Sequence, residues 1–183
     1  MLTDLGLLVL RLVVGGLLGG HGSQKLFGWF GGYGIDGTAG WLESIGLKPG
    51  RFWAAGASTS EFGGGALTAL GFLHPIGPIA TMAAMVMATA KAHWGKPIWV
   101  AGGGAELPVT NIAAALALAL TGPGRFSVDS LFGIRLPRAL VAVVIIAEAV
   151  LVAIGVSSQP AKPTATEEHA SAKVEGGQGA DSL

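Results

Sequence analysis

Residues 62–90 read FGGGALTALGFLHPIGPIATMAAMVMATA, 29 positions without an Asp, Glu, Lys or Arg. A bilayer core of ~30 Å is crossed by ~20 residues of helix. The break at His74-Pro75 divides the apolar sequence and predicts one helical span over 52–73 and another over 76–92. Pro78 falls in the first turn of the later span, where the missing N–H has no intrahelical partner to lose. A second charge-free stretch, 107–124, covers 18 residues and predicts a span over 105–121.

Outward from this centre the pattern repeats. Residues 5–20, continuing toward 30, form a first apolar run interrupted by Arg11, and Gly15, Gly16, Gly19 and Gly20 give two overlapping small-xxx-small pairs that allow close backbone approach. Gly56, Ser60 and Gly64 repeat the device in the next span. Between them, 31–50 is wetter, with Trp41, Leu42, Ile45 and Leu47 among Asp36, Glu43 and Lys48, as in a short amphipathic helix at an interface. A fifth apolar run, 139–156, carries one acid, Glu148. Residues 157–183 hold 6 of the 22 charges, few large apolar side chains and much Pro, Ala, Thr, Glu and Gly, the composition of a disordered tail. The expected fold class is all-α: a polytopic transmembrane bundle with four core helices over 1–130, a fifth helix over 131–156 and the tail beyond it. Membrane strands would need alternation and closure into a barrel.

Composition narrows the chemistry. Charged residues make up 12% of the 183, about half of the usual ~25%, and the mean hydropathy is +0.61. Zero cysteine excludes disulfides, thiolate nucleophiles and Cys-ligated iron–sulfur clusters. A net charge of +0 gives no electrostatic case for nucleic acid. The four histidines are scattered, with no i, i+4 pair, so no metal site is expected. The start, Met1-Leu2-Thr3-Asp4, lacks the basic region of a signal peptide, and the first run is expected to remain as a helix. Loop charges are nearly balanced between the two sides and lean slightly toward a cytoplasmic N-terminus.

Ionisable groups inside spans cost on the order of 2.5–3.5 kcal/mol each and are usually paired or face a cavity. Arg11, His21, Lys25, Glu61, Lys91, His93, Glu106 and Glu148 are such groups, with Asn111 beside them. Arg11 and Lys25 stand 14 residues apart, within about 40° on an ideal helix. Glu61 shares a face with Ala54, Ser58, Gly65 and Thr68 that must meet another helix, so Glu61 pairs with Arg11 or Lys25. Such a pair either fixes helix register alone or borders a polar cavity in which Glu61 takes and gives protons. His93 lies at the exit of the third span, as a shuttling group or as part of a headgroup belt beside Trp94. Glu148 has no evident partner.

Several pieces combine into a resemblance: HGSQKLFGW over 21–29, EFGGG over 61–65, the basic exit with His93, Glu106 at the start of the fourth span, and GPGRFSVD over 122–129. Together they resemble the DoxX family of bacterial and archaeal membrane proteins over about 5–130. His21, Gly22, Lys25, Glu61, Gly64, His93, Glu106, Gly122, Gly124 and Asp129 match the family's motifs. The resemblance implies a four-helix membrane bundle. It also implies kinship with the small membrane subunit of archaeal thiosulfate:quinone oxidoreductase, and with members tied to membrane oxidoreductase complexes handling thiol or oxidative stress. The sequence departs from the four-helix pattern after Asp129.

On that basis the expected function is a subunit of a quinone-linked oxidoreductase system in the cell membrane, with a quinone head held by His21, Lys25, Glu61 and His93. A lysine, histidines and a carboxylate supply donors for the carbonyls and a proton source. The alternatives are a non-catalytic anchor for soluble oxidoreductase partners and a small transporter. Homo-oligomers through the glycine faces fit either.

Overall fold

A computed structural model describes residues 1–158, which contain seven α-helices and no strand. They are α1 Leu2–Phe27, α2 Gly34–Ser44, α3 Gly50–Leu70, α4 Ile76–Ala88, α5 Glu106–Thr121, α6 Val128–Phe132 and α7 Arg138–Ser157. The all-helical bundle expected from the sequence is present, with the one-turn helix α6 as an addition. The tail expected over 157–183 lies outside the described residues, apart from Ser157 at the end of α7 and Ser158.

Glycine ends α1 and α3. Gly28 closes α1 at φ 74° and donates its N–H to the Gln24 carbonyl, and Gly71 closes α3 at φ 61°, a conformation free of Cβ strain only for glycine. α4 opens into a wide π turn over Thr89–His93 before the chain leaves the bundle.

The first close contact is backbone on backbone. A Cβ on Gly15 would lie 2.5 Å from the Ala69 nitrogen, one on Gly22 would lie 2.2 Å from the Phe62 nitrogen, and one on Gly65 would lie 2.5 Å from the Gly19 nitrogen. These pairs make α1 and α3 antiparallel and closely apposed. On its next face α3 meets α4, where a Cβ on Gly77 would lie 2.7 Å from the Thr68 nitrogen. Gly16, Gly20, Gly56 and Gly63 touch nothing in this way. α7 runs parallel to α4, with Gly155 against the Met87 side chain.

The polarity of the bundle is inverted relative to a protein dissolved in water. Arg11, Ser23, Ser58, Glu61, Thr68 and Thr81 are buried, while Leu5, Val9, Leu12, Val13 and Leu17 of α1 and Val143, Ile146, Val150 and Ile154 of α7 are exposed. Continuous exposed apolar surface of this kind marks contact with lipid or a partner. Two helices are long and apolar enough to cross a membrane, Leu2–Phe27 and Arg138–Ser157; Glu106–Thr121 is apolar but shorter. α3 falls short in hydropathy for a physical reason. It is the central helix, packed by α1, α2 and α4, so its surface of Gly, Ala, Ser and Thr meets protein. All five tryptophans (Trp29, Trp41, Trp53, Trp94 and Trp99) sit at the end where α1 and α4 finish and α3 and α5 begin, the position of an aromatic belt.

The opposite end is held by a buried polar clamp. Arg11, 2% exposed, donates to the carbonyls of Ala69 (3.2 Å) and Phe126 (2.5 Å). Asp129 accepts from the backbone N–H groups of Leu73 (2.9 Å) and His74 (2.7 Å) and donates its own N–H to Gly71. Ser127 caps α6 by accepting from the Ser130 N–H. Burial holds the His74 imidazole below its ordinary range, with Arg11 acting in the same sense and the Ala119 carbonyl and Asp129 opposing it.

Two expectations follow. Gly65→Val forces α1 and α3 apart, an overpacking cost of roughly 1–3 kcal/mol, and lowers the thermal midpoint of the solubilised protein. Gly63→Ala, in open space, leaves the midpoint unchanged or raises it by the equivalent of ~0.5–1 kcal/mol. A His74 imidazole depressed in the fold favours the folded state above about pH 6.5, and that contribution is lost as pH falls through the folded value. The midpoint therefore falls on acidification, and His74→Gln reduces that fall.

Candidate functional site

The side chain of Lys25, near the end of α1, reaches Glu61 in the middle of α3 and forms an ion pair with its Oε1 atom. Gly22, one turn before Lys25, lets the helices come close enough for this. The pair is unevenly wetted: the Lys25 side chain is 31% exposed and that of Glu61 is 2% exposed. Glu61 Oε2 is buried with no hydrogen-bond partner. Of the two partners open to Glu61 from sequence, Lys25 takes the role, and Arg11 is committed to the clamp at the other end.

Beside the pair lies a cavity of about 230 Å³ between α2, α3, α4 and α7. Its walls are mainly apolar, from Leu42, Leu47, Phe52, Trp53, Met87 and Leu151 among others. Polar groups on its walls include Lys25 and Glu61, His93 from the π turn, and Glu148 from α7. His93 donates from Nδ1 to the Gly103 carbonyl at 2.7 Å, which a carbonyl can only accept, and Nε2 remains as the ring's other polar atom. Lys91 also borders the cavity and donates to the Ser158 carbonyl at the end of α7. That bond holds α7 against α4.

Lys25, Glu61 and His93 thus line one cavity. His21 does not. It is exposed and its Nδ1 meets the Gln24 Oε1 at 3.1 Å. The reason is helical phase: Gly22 faces α3, and His21 stands about 100° around α1 from it. Glu106 accepts from the Val100 N–H at 2.8 Å, tying the 95–104 connector to α5 rather than joining the cavity. Sequence reasoning left Glu148 unassigned. Its signal was present, a lone acid in an apolar helix, but nothing in the sequence specified that α7 would pack beside α4.

The DoxX family model matches residues 6–94. Residues 6–94 are a DoxX domain. The match takes in α1 to α4 with Lys25, Glu61 and His93, and ends at Trp94, before α5, α6 and α7. No curated protein matches the chain, and no solved structure does. Family and exposed apolar helices together make it a membrane protein.

The Lys25–Glu61 pair carries its own test. Lys25→Met leaves a buried carboxylate unpaired, which in dry sites costs about 3–5 kcal/mol, less here because Lys25 is partly wet. The double variant Lys25→Met/Glu61→Gln removes the stranded charge and is expected to melt above the single variant.

Proposed function

We propose that this DoxX protein is a multi-pass subunit of a quinone-linked oxidoreductase system in the cell membrane, and that the cavity beside Lys25 and Glu61 takes the quinone head. In this reading α1, α3, α4, α5 and α7 cross the bilayer, the first four forming the family's bundle and α7 a fifth span. The observation that carries the proposal is the composition of the cavity: an apolar, aromatic-walled space holding a buried carboxylate with one oxygen unpartnered.

Its size supports a single ring. At about 230 Å³ it is below the ~300–1,000 Å³ of drug-sized sites, too small for a dinucleotide. Trp53 and Phe52 offer faces for stacking. Phe52 and Leu151 line the cavity and are also exposed, so a ring can enter from the apolar surroundings and leave its tail there. The Lys25 ammonium can donate to one carbonyl, and the carboxyl groups of Glu61 and Glu148 and the His93 ring stand on the remaining walls. A bound quinone supplies two-electron, two-proton redox chemistry. Lys25 orients its oxygen, the apolar wall excludes water, and Glu61 holds or releases a proton at Oε2. Electrons come from a partner protein.

The test is the quinone content of protein purified gently from its own membranes. Wild type is expected to carry near-stoichiometric quinone. Loss of one charge-assisted hydrogen bond weakens binding by about 1.5–3 kcal/mol, roughly tenfold to a hundredfold, so Glu61→Gln is expected to lose most of it and His93→Ala part. Quinone at lipid background in the wild type overturns the proposal in favour of a non-catalytic anchor.

A further inference from the structure

The chain between α5 and α7, residues 122–137, presents two kinds of surface on one short stretch. It carries Arg125 and Arg135, Arg138 opens α7, and all three are exposed. Phe126, Leu131 and Phe132 are exposed beside them, Leu131 and Phe132 by 77% and 70%. We infer that this segment is a docking surface for anionic phospholipid headgroups, with the arginines on the phosphates and the three apolar side chains sunk among the upper acyl chains.

Backbone anchoring decides which side faces out. The Phe126 carbonyl accepts from Arg11, the Asp129 carboxylate takes the N–H groups of Leu73 and His74, and the Asp129 N–H donates to Gly71. Ser127 and Asp129 are buried on this inner side. The Asp129 carbonyl accepts from the Ile134 N–H at 2.9 Å, which closes the turn after α6. The apolar side chains and the arginines are left outside, on a backbone tied to the bundle at Phe126 and Asp129.

Charge selects the partner. Between residues 107 and 147 the chain has three arginines and one acid, Asp129, and both oxygens of that acid are spent on backbone N–H groups. The other acid at this end, Asp4, meets the Met1 amino group at 3.1 Å and accepts from the Arg125 backbone N–H. Among the described residues no ion pair includes Arg125, Arg135 or Arg138. The tryptophan end differs: there Arg51 pairs with Asp36 at 2.9 Å and Lys25 pairs with Glu61. Water would leave Leu131 and Phe132 unburied, and the hydrocarbon core would leave three guanidinium groups unsolvated. The headgroup boundary accommodates both, and a guanidinium matches a phosphate with two parallel N–H bonds. The position at a bilayer face rests on α5 and α7 being spans, as proposed above.

Lipid binding to the full chain in detergent is the first test, read by native mass spectrometry with dioleoylphosphatidylglycerol and dioleoylphosphatidylcholine as probes. Each basic residue at an anionic surface is worth about fivefold in affinity, so wild type is expected to prefer the anionic lipid by at least about tenfold. Arg125→Gln/Arg135→Gln/Arg138→Gln is expected to abolish the preference, and Lys48→Gln/Arg51→Gln, at the tryptophan end, to keep it. No preference in wild type, or a preference that survives the triple change, overturns the surface. Displacement of the lipid by glycerol phosphate at equal concentration reassigns the arginines to a free phosphate and overturns it as well. A second measurement needs no triple variant. The chain has no cysteine, so Phe132→Cys takes a single fluorophore. In liposomes of the anionic lipid its emission is expected to be quenched by a lipid with a nitroxide near the headgroup and shielded from aqueous iodide. Quenching by iodide alone places the segment in water and overturns the docking. Quinone enters neither readout: protein without quinone leaves this surface standing, and a lost lipid preference leaves the quinone proposal standing.

Discussion

The backbone contact between α1 and α3 governs everything built on top of it. Gly15, Gly22 and Gly65 remove the side chains that would hold the helices apart, and at that separation a lysine near the end of one helix reaches a carboxylate in the middle of the other. Without hydrophobic drive between helices in lipid, packing at short range and interhelical polar bonds must supply the association. Here they occur together: the glycine contacts bring the charges within reach, and the charges then fix the register that the smooth glycine faces alone would leave open. α2 and α4 pack on α3, α7 packs on α4, and the cavity is the space these four leave beside the pair.

The two polar clusters divide the labour. At one end, Arg11 and Asp129 spend their hydrogen bonds on backbone groups of the α3–α4 turn and the 126–129 segment. That is stabilising chemistry, with Arg11 Nε alone of the guanidinium nitrogens left buried without a partner. At the other end Lys25 keeps donors, Glu61 keeps an oxygen, and Glu148 and His93 stand on the same cavity wall. What distinguishes this end is the cavity that these groups share, which makes it the candidate site.

Much of this was legible in the sequence because apolar runs, proline breaks and glycine spacing are local signals. The helices at 52–73 and 76–92 could be read from charge-free length and the His74-Pro75 break, and Glu61 from its place among small residues. What could not be read was azimuth and docking. Gly15 and Gly16 look equally suited to close contact, yet only Gly15 makes one, because the phase of α1 is set by its partner. The same phase turns His21 outward. Glu148 acquires a setting only when α7 lies along α4, a contact fixed by Gly155, Met87 and the Lys91 bond to Ser158, with no local signature.

The crowding of all five tryptophans at one end has a mechanical consequence. In the proposed spanning arrangement, indole rings at the headgroup level fix depth, and they do so on one side only. The other end carries arginines with long, adaptable side chains, Arg125, Arg135 and Arg138. In a thicker or thinner bilayer, adjustment is therefore confined to the arginine end, where snorkelling and local deformation cost fractions of a kcal/mol per Å. The tryptophan end, with the ion pair and the cavity, stays at constant depth. The protein is moored at one leaflet and floats at the other.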